Sequence, residues 1–292
     1  MRINSYCLTC LVQMQEAQIR RFTDEEKKAE YMRRVFAFLA ESSPEKSSPA
    51  LVRPLSRLYE AYWGEQNTEM EDVKREFNDF LLSMESDLEQ KIRAAEDPLQ
   101  TALIYARTGN YIDYASVRDI SKETLLELLE NKGGHTLDET EYEQFLQELQ
   151  TAERLVYLTD NCGEIVLDKL AVRILKEQYP QLTVTVIVRG APVVNDADME
   201  AACYVRMNQE ADVMGNGSDI AGTDLTDISE AARERIEAAD LIIAKGQGNF
   251  ETLHGCGRNI YYLFLCKCDW FVRKFQAERL QGMFVNERRI SR

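Results

Sequence analysis

The sequence predicts an α/β protein: a Rossmann-like, mostly parallel sheet flanked by helices, preceded by an α-helical N-terminal domain. Three observations carry this prediction. Through the first half, apolar residues recur three and four positions apart, the period of a helix with one buried face. Beyond residue 150, short β-branched runs alternate with amphipathic stretches, the pattern of strands joined by crossover helices. The chain has 292 residues, 45% of them apolar, enough for one large core or two modest ones. The expected division is 1–150 for the helical domain and 151–292 for the α/β domain.

Each element follows from local chemistry. Thr23-Asp-Glu-Glu26 is a capping box opening the helix "EEKKAEYMRRVFAFLAES". Ser47-Ser-Pro49 can start a third helix. Met70, Val73, Phe77, Phe80, Leu81, Met84, Leu88 and Ile92 form the stripe of one long amphipathic helix. Asp97-Pro98 places a capping carboxylate before a proline in the first helical turn, and Gly109-Asn110 ends the helix that follows. Ser121 can cap "KETLLELLEN", with Gly133-Gly134 as its stop. Then come the strands "RLVYLTD", "LTVTVIVRG", "ADVMGNG" and "ADLIIAKG", separated by the helical stretches "EIVLDKLAVRILKEQY", "DADMEAACYV" and "ISEAARERIEAA". "NIYYLFLCKC" reads equally as a strand or a buried helix, and "GMFVNE" as a closing strand.

Composition narrows the function classes. Lys and Arg number 35 against 50 Asp and Glu, a formal charge of -15. That balance opposes binding to nucleic acid or to an anionic membrane surface, both of which need a basic footprint. It does not oppose a small phosphorylated partner, since one bound metal inverts the local field. No apolar run reaches membrane-spanning length, and the N-terminus lacks a signal layout, so a cytoplasmic location is expected. Seven cysteines, an odd number, argue against a disulfide framework.

In open α/β sheets ligands collect beyond the carboxyl ends of the strands. Those places hold Asp160, Asn161, Gly163 and Glu164; Arg189, Gly190, Asn195 and Asp196; Gly215 to Asp219; and Lys245 to Asn249 with Glu251. With only two histidines in the chain, a His-rich zinc site is not expected. Asp and Asn oxygens suit a hard divalent cation such as Mg²⁺ or Mn²⁺. The bland alternative for Asp160 is a helix N-cap. The dinucleotide fingerprint, the Walker loop and the G-x-S-x-G elbow are all missing. Gly246-Gln-Gly248 is a lone G-x-G, read as a tight turn. Asp196-Ala-Asp198 has the form of an aspartyl-phosphate DxD, although it does not directly follow a strand.

Four segments, "ARTGNYID", "LTDNCGEIVLD", "VRGAPVVNDAD" and "DLIIAKGQGNFETL", in this order and spacing, resemble the metal-dependent damage-control phosphatases, a family long catalogued as a domain of unknown function. The opening Cys7-Leu-Thr-Cys10 resembles the short prokaryotic branch. The resemblance implies hydrolysis of small phosphomonoesters with a divalent cation, Mg²⁺, Mn²⁺, Co²⁺ or Ni²⁺. It implies Asp160, Asn161 and Asp196 as metal ligands and, with Lys245, as the catalytic set. Lys245 and Asn249 would bind phosphate or the substrate body, with Gly163, Glu164 and Asn195 lining the site. Loop amides near Gly163 and the following helix N-terminus would assist, and Glu164 or Asp168 would position the attacking water. Gln247 replaces an acid found in some members, and the basic-threonine motif of the eukaryotic branch is not evident, Lys267 lying in that region. "ARTGNYID" would reach across to support the site. "GNGSDIAGTDL" is either a cover over the substrate or an ordinary surface loop. Cys7 and Cys10 are expected to be buried side chains, the alternatives being a redox pair or a metal site completed by Cys266 and Cys268. Two other functions compete: a nucleotide- or S-adenosylmethionine-dependent transferase, and a non-catalytic redox or metal sensor using the C-x-x-C.

Overall fold

A computed structural model describes residues 1–64, 70–113, 121–130 and 136–290. It divides into two compact units, residues 1–68 and 69–292.

The first unit is a set of three helices, α1 (Ser5–Ile19), α2 (Glu25–Glu41) and α3 (Ser48–Trp63). The cap of α2 is Asp24, which accepts from Lys27 N at 2.9 Å, one residue later than the expected capping box. Pro49 lies in the first turn of α3 and Gly64 closes it in the left-handed conformation. Leu11, Ile19, Tyr31, Val35, Leu51, Leu55 and Tyr59 form its core. Cys7 is buried as expected, whereas Cys10 is exposed.

The second unit contains α4 (Met70–Arg93), α5 (Pro98–Gly109), α6 (Lys122–Glu130), α7 (Glu139–Leu149), β1 (Arg154–Leu158), α8 (Glu164–Gln178), β2 (Thr183–Val188), α9 (Met199–Tyr204), β3 (Asp212–Gly215), α10 (Glu230–Ala238), β4 (Leu241–Lys245), α11 (Gly246–Leu253), β5 (Ile260–Leu265), α12 (Asp269–Phe275) and β6 (Gly282–Asn286). The sheet has six strands in the order β3-β2-β1-β4-β5-β6, parallel except for the antiparallel closing strand. The ambiguous "NIYYLFLCKC" is therefore a strand, β5, and all six of its residues are buried. Asp97 caps α5 through Gln100 N at 2.9 Å, and Ser121 caps α6 through Thr124 N at 3.1 Å. The expected stop at Gly133-Gly134 lies outside the described residues.

The compact units do not divide at residue 150. Phe77, Leu81, Leu88 and Ile92 of α4, Leu99 and Leu103 of α5, and Phe145 of α7 share one core with Tyr157, Leu167, Ile243 and Tyr261 around the sheet. Helices α4 to α7 thus cover a sheet face rather than forming a separate core, as a parallel sheet buried on both faces requires. No helix among the described residues is long and apolar enough to cross a membrane.

The strand order reverses between β1 and β4, so the crevice at the switch point lies between the loops that follow them. Gly246, the first residue of α11, has φ 77°, and a Cβ built there would overlap Asp160 Oδ2. Only glycine lets these two loops approach so closely.

Candidate active site

Asp160 and Asn161 follow β1, and Asp196 lies in the loop after β2. An isolated antiparallel bridge sets Asn161 against Asp196. Cys162 N donates to Asn195 O at 2.8 Å and Ala197 N to Asp160 O at 2.7 Å, so backbone hydrogen bonds fasten one loop to the other. Val194, just before this pair, has φ 44°, a conformation strained for a β-branched residue. Asp160 is not the cap of α8, because Gly163 occupies that position.

Each candidate ligand side chain is held by several partners. Asp160 Oδ2 accepts from Asn110 Nδ2 and from Asn161 Nδ2, both at 2.9 Å. Glu164 Oε2 accepts from Asn161 Nδ2 at 2.7 Å and from Asn110 Nδ2 at 3.1 Å. With both amide N–H groups thus engaged, the carbonyl ends of Asn161 and Asn110 are fixed. Asn110 Oδ1 accepts from Leu265 N, while Asn161 Oδ1 accepts no hydrogen bond among the described residues. Arg189 donates from Nη2 to Asp160 Oδ1 at 3.1 Å and from Nε to Asp196 Oδ2 at 2.6 Å. Asp196 Oδ1 accepts no hydrogen bond among the described residues.

The electrostatics follow from burial. Asp160 is pushed well above the ordinary carboxylate range, first by burial and then by the charges of Asp196 and Glu164. Burial also raises Asp196 to about 6, against the opposing pull of Arg189. Counting the buried charges joined in this region, Asp113, Asp160, Glu164, Asp168 and Asp196 face Arg189, Lys245 and Lys267. By formal charge two carboxylates are in excess, which one divalent cation would balance. Among the described residues no three His, Cys, Asp or Glu side chains converge in metal-binding geometry. Two carboxylates and an amide are instead drawn together through Arg189 and the Asn161 amide, with Asn161 Oδ1 and Asp196 Oδ1 accepting no hydrogen bond among the described residues. Such all-oxygen donors fit Mg²⁺ or Mn²⁺ with remaining positions for water and substrate.

Lys245 does not face the crevice. Its ammonium is fully buried and donates to Glu164 Oε1 at 2.5 Å, Asp168 Oδ1 at 2.7 Å and Ala106 O at 2.8 Å. All three donors of the ammonium are used, so the expected phosphate contact is replaced by a structural one. Asn249 is equally committed. Its amide donates to Thr159 O and Lys245 O, and its Oδ1 accepts from Thr223 Oγ1 and Arg189 Nη1. Gly163 N is taken by Asn78 Oδ1 at 2.6 Å and Asn161 N by Glu164 Oε2, so these loop amides are not free for an anion. Asn195 Nδ2 donates to Ile112 O. Asp168 sits behind Lys245, with Tyr157 OH on its Oδ1 at 2.7 Å, and is fully buried. It cannot position a water in the crevice. Asp198, the second acid of the DxD, caps α9 through Ala201 N and pairs with Lys74 at 3.3 Å.

Several participants carry no role predicted from sequence. Arg189 carried no role, although a cation directly after a buried strand was a signal. Asp113 of "GNYID" meets Lys267 at 2.6 Å and raises Asp196, so this turn does join the site. Lys267, fully buried after β5, lies near enough to lower Asp160. "GNGSDIAGTDL" is no ordinary surface loop. Asn216, Ser218 and Thr223 are buried, and Asn216 Oδ1 accepts from Gly190 N and Ser218 N. Gly246-Gln-Gly248 is the start of a helix rather than a turn; a Cβ on Gly248 would overlap Ala221 O of that loop.

Comparison with known proteins agrees with this architecture. The damage-control phosphatase ARMT1-like domain matches residues 3–281. A damage-control phosphatase of Archaeoglobus fulgidus is 30% identical over 275 residues, covering 92% of this chain and 93% of that one. An uncharacterized protein of Methanocaldococcus jannaschii is 27% identical, covering 91% and 90%. A damage-control phosphatase of Pyrococcus horikoshii is 26% identical, covering 96% of both chains. The crystal structure of a DUF89 family protein from Pyrococcus horikoshii superposes with a TM-score of 0.75 at 23% identity, covering 98% of this chain and 99% of that one. With the match running through nearly the whole length, the chain belongs to the damage-control phosphatase ARMT1-like domain family.

Proposed function

We propose that the chain is a metal-dependent phosphatase acting on small phosphomonoester metabolites, either sugar phosphates or damaged phosphorylated intermediates. The observation that carries this reading is the bridge between Asn161 and Asp196, which gathers two carboxylates and an amide at the switch point. The names of the relatives support phosphatase chemistry, and the excess of two buried negative charges supports the divalent cation.

Asp160, Asn161 and Asp196 would hold the cation, which when bound polarises a phosphoryl oxygen and makes an attacking water more acidic. The protein's own groups do the rest. Asn110 and Glu164 fix the Asp160 carboxylate and the Asn161 amide, so little reorganisation is required when substrate arrives. Lys245 acts through Glu164, holding its carboxylate from behind. Lys267, rather than Lys245, is our choice for the cation that meets the equatorial phosphoryl oxygens, because it borders Asp160 and Asp113. Asp113 would take the proton of the attacking water, because its charge reaches Asp196 and Lys245 does not engage it.

The test is release of inorganic phosphate from an aryl phosphate and from sugar phosphates by metal-stripped protein, with Mg²⁺, Mn²⁺, Co²⁺ or Ni²⁺ restored. Turnover should require metal and disappear in Asp160→Asn and Asp196→Asn. Folded protein that releases no phosphate with any of these metals would refute the reading and favour a transferase.

A further inference from the structure

Arg189 occupies a place that neither substrate binding nor catalysis has yet explained. It is the residue after β2, 1% exposed, and its backbone N–H donates to Ala197 O at 2.9 Å. Its guanidinium uses three different edges. Nε reaches Asp196 Oδ2, Nη2 reaches Asp160 Oδ1, and Nη1 reaches Asn249 Oδ1 at 3.2 Å. The third contact is a strut rather than a charge pair. Asn249 is locked by its amide on Thr159 O at 3.0 Å and Lys245 O at 2.7 Å, and its Oδ1 also receives Thr223 Oγ1 at 2.8 Å. The planar fork is therefore fixed in orientation from the side away from the carboxylates, which a lysine could not reproduce.

The arrangement takes one oxygen from each of the two carboxylates and no more. Among the described residues nothing donates to Asp196 Oδ1 or Asn161 Oδ1, so the arginine and a cation can occupy the two sides of the same carboxylate pair. Without the arginine, Asp160 and Asp196 would be two adjacent buried acids with no cation in contact, an arrangement that opposes folding in the absence of metal. With it, the pair is already partly neutralised, and an incoming divalent cation meets the repulsion of a buried positive charge.

We propose that Arg189 is a built-in counter-cation: it keeps the carboxylate pair assembled in the metal-free protein and, by the same charge, holds metal affinity down so that the ion exchanges. The inference rests on Asp160, Asn161 and Asp196 being the metal site. It makes folding independent of metal, at the expense of affinity for it.

The experiment uses the full chain stripped of metal, with Mn²⁺ as the probe at pH 8. Isothermal titration calorimetry and thermal unfolding are run on wild type, Arg189→Met and Arg189→Lys. Metal-free Arg189→Met should melt below wild type. Mn²⁺ should raise its Tm by more than it raises that of wild type, and bind at least about tenfold more tightly, a modest share of the Coulomb repulsion removed. Arg189→Lys keeps the charge but cannot span both acids. It should fall between the two in metal-free Tm and bind Mn²⁺ about as tightly as wild type, and a methionine variant that folds only when Mn²⁺ is present supports the role equally. Wild type that binds Mn²⁺ while Arg189→Met binds it equally or more weakly, or stays unfolded with Mn²⁺ present, would overturn the counter-cation role alone. Wild type that binds no Mn²⁺ would overturn the metal site and this role together.

Discussion

Lys245→Met separates a structural lysine from a substrate-binding one. The ammonium lies fully buried between Glu164 and Asp168, at 2.5 and 2.7 Å, and methionine replaces its stem while removing its charge. Two carboxylates would then be buried without their shared cation, and Asp168 Oδ2 already has no hydrogen-bond partner. Breaking a buried pair from one side costs about 3–5 kcal/mol. For a unit of this size that corresponds to a drop in Tm of roughly 6–20 °C. The loss carries a pH signature. In the intact protein burial raises Asp168 to about 7, with Lys245 pulling the other way. Removing Lys245 removes that pull and sends the carboxyl higher. An acid whose folded pKa exceeds its unfolded value of about 3.9 binds more protons when folded. Stability therefore falls as pH rises through that window. Because wild type and variant share the same slope up to about pH 7, the deficit of Lys245→Met should widen from about pH 7 to about pH 9, read by thermal unfolding in metal-free buffer. A variant that melts with wild type at both pH values, losing only turnover, would refute the structural role and restore Lys245 as a phosphate ligand.

Two further substitutions probe other parts of the same unit. Gly246→Ala places a methyl onto Asp160 Oδ2 in a left-handed conformation. It should cost about 1–2 kcal/mol from the backbone alone and lower turnover by about a hundredfold through displacement of the carboxylate, measured as kcat against unfolding midpoint. Glu287 accepts from His254 Nδ1, Gly255 N and Tyr262 OH at 3.0, 2.7 and 3.0 Å. Burial raises its pKa, but the His254 contact and these hydrogen bonds outweigh it, leaving the group lowered. A lowered acid gives stability that is present above the unfolded value of about 4.3 and lost as pH falls through the folded one. Glu287→Gln should lose about 1–3 kcal/mol in urea unfolding near neutrality, with the difference vanishing in acid.

The sequence by itself determined the class and the addresses. Short β-branched runs and period-three-to-four patterns marked where strands and helices run, because a strand buried on both faces needs a continuous apolar run and a helix buried on one face needs that spacing. The strand-end rule was enough to nominate Asp160, Asn161 and Asp196, since a parallel sheet offers ligands only that edge. Helices α7, α11 and α12 escaped it, two of them short and one opening on Gly246 and Gly248, whose use here is close approach rather than flexibility. What a polar side chain faces was decided only in three dimensions. Asn110 joins Asp160, Glu164 and Leu265 across 50, 54 and 155 positions of chain, and no local pattern encodes such meetings. Lys245 looked like an anion ligand because it follows a strand. Packing of α5 and α8 over β4 buried it among acceptors, and a buried ammonium must take the partners that surround it.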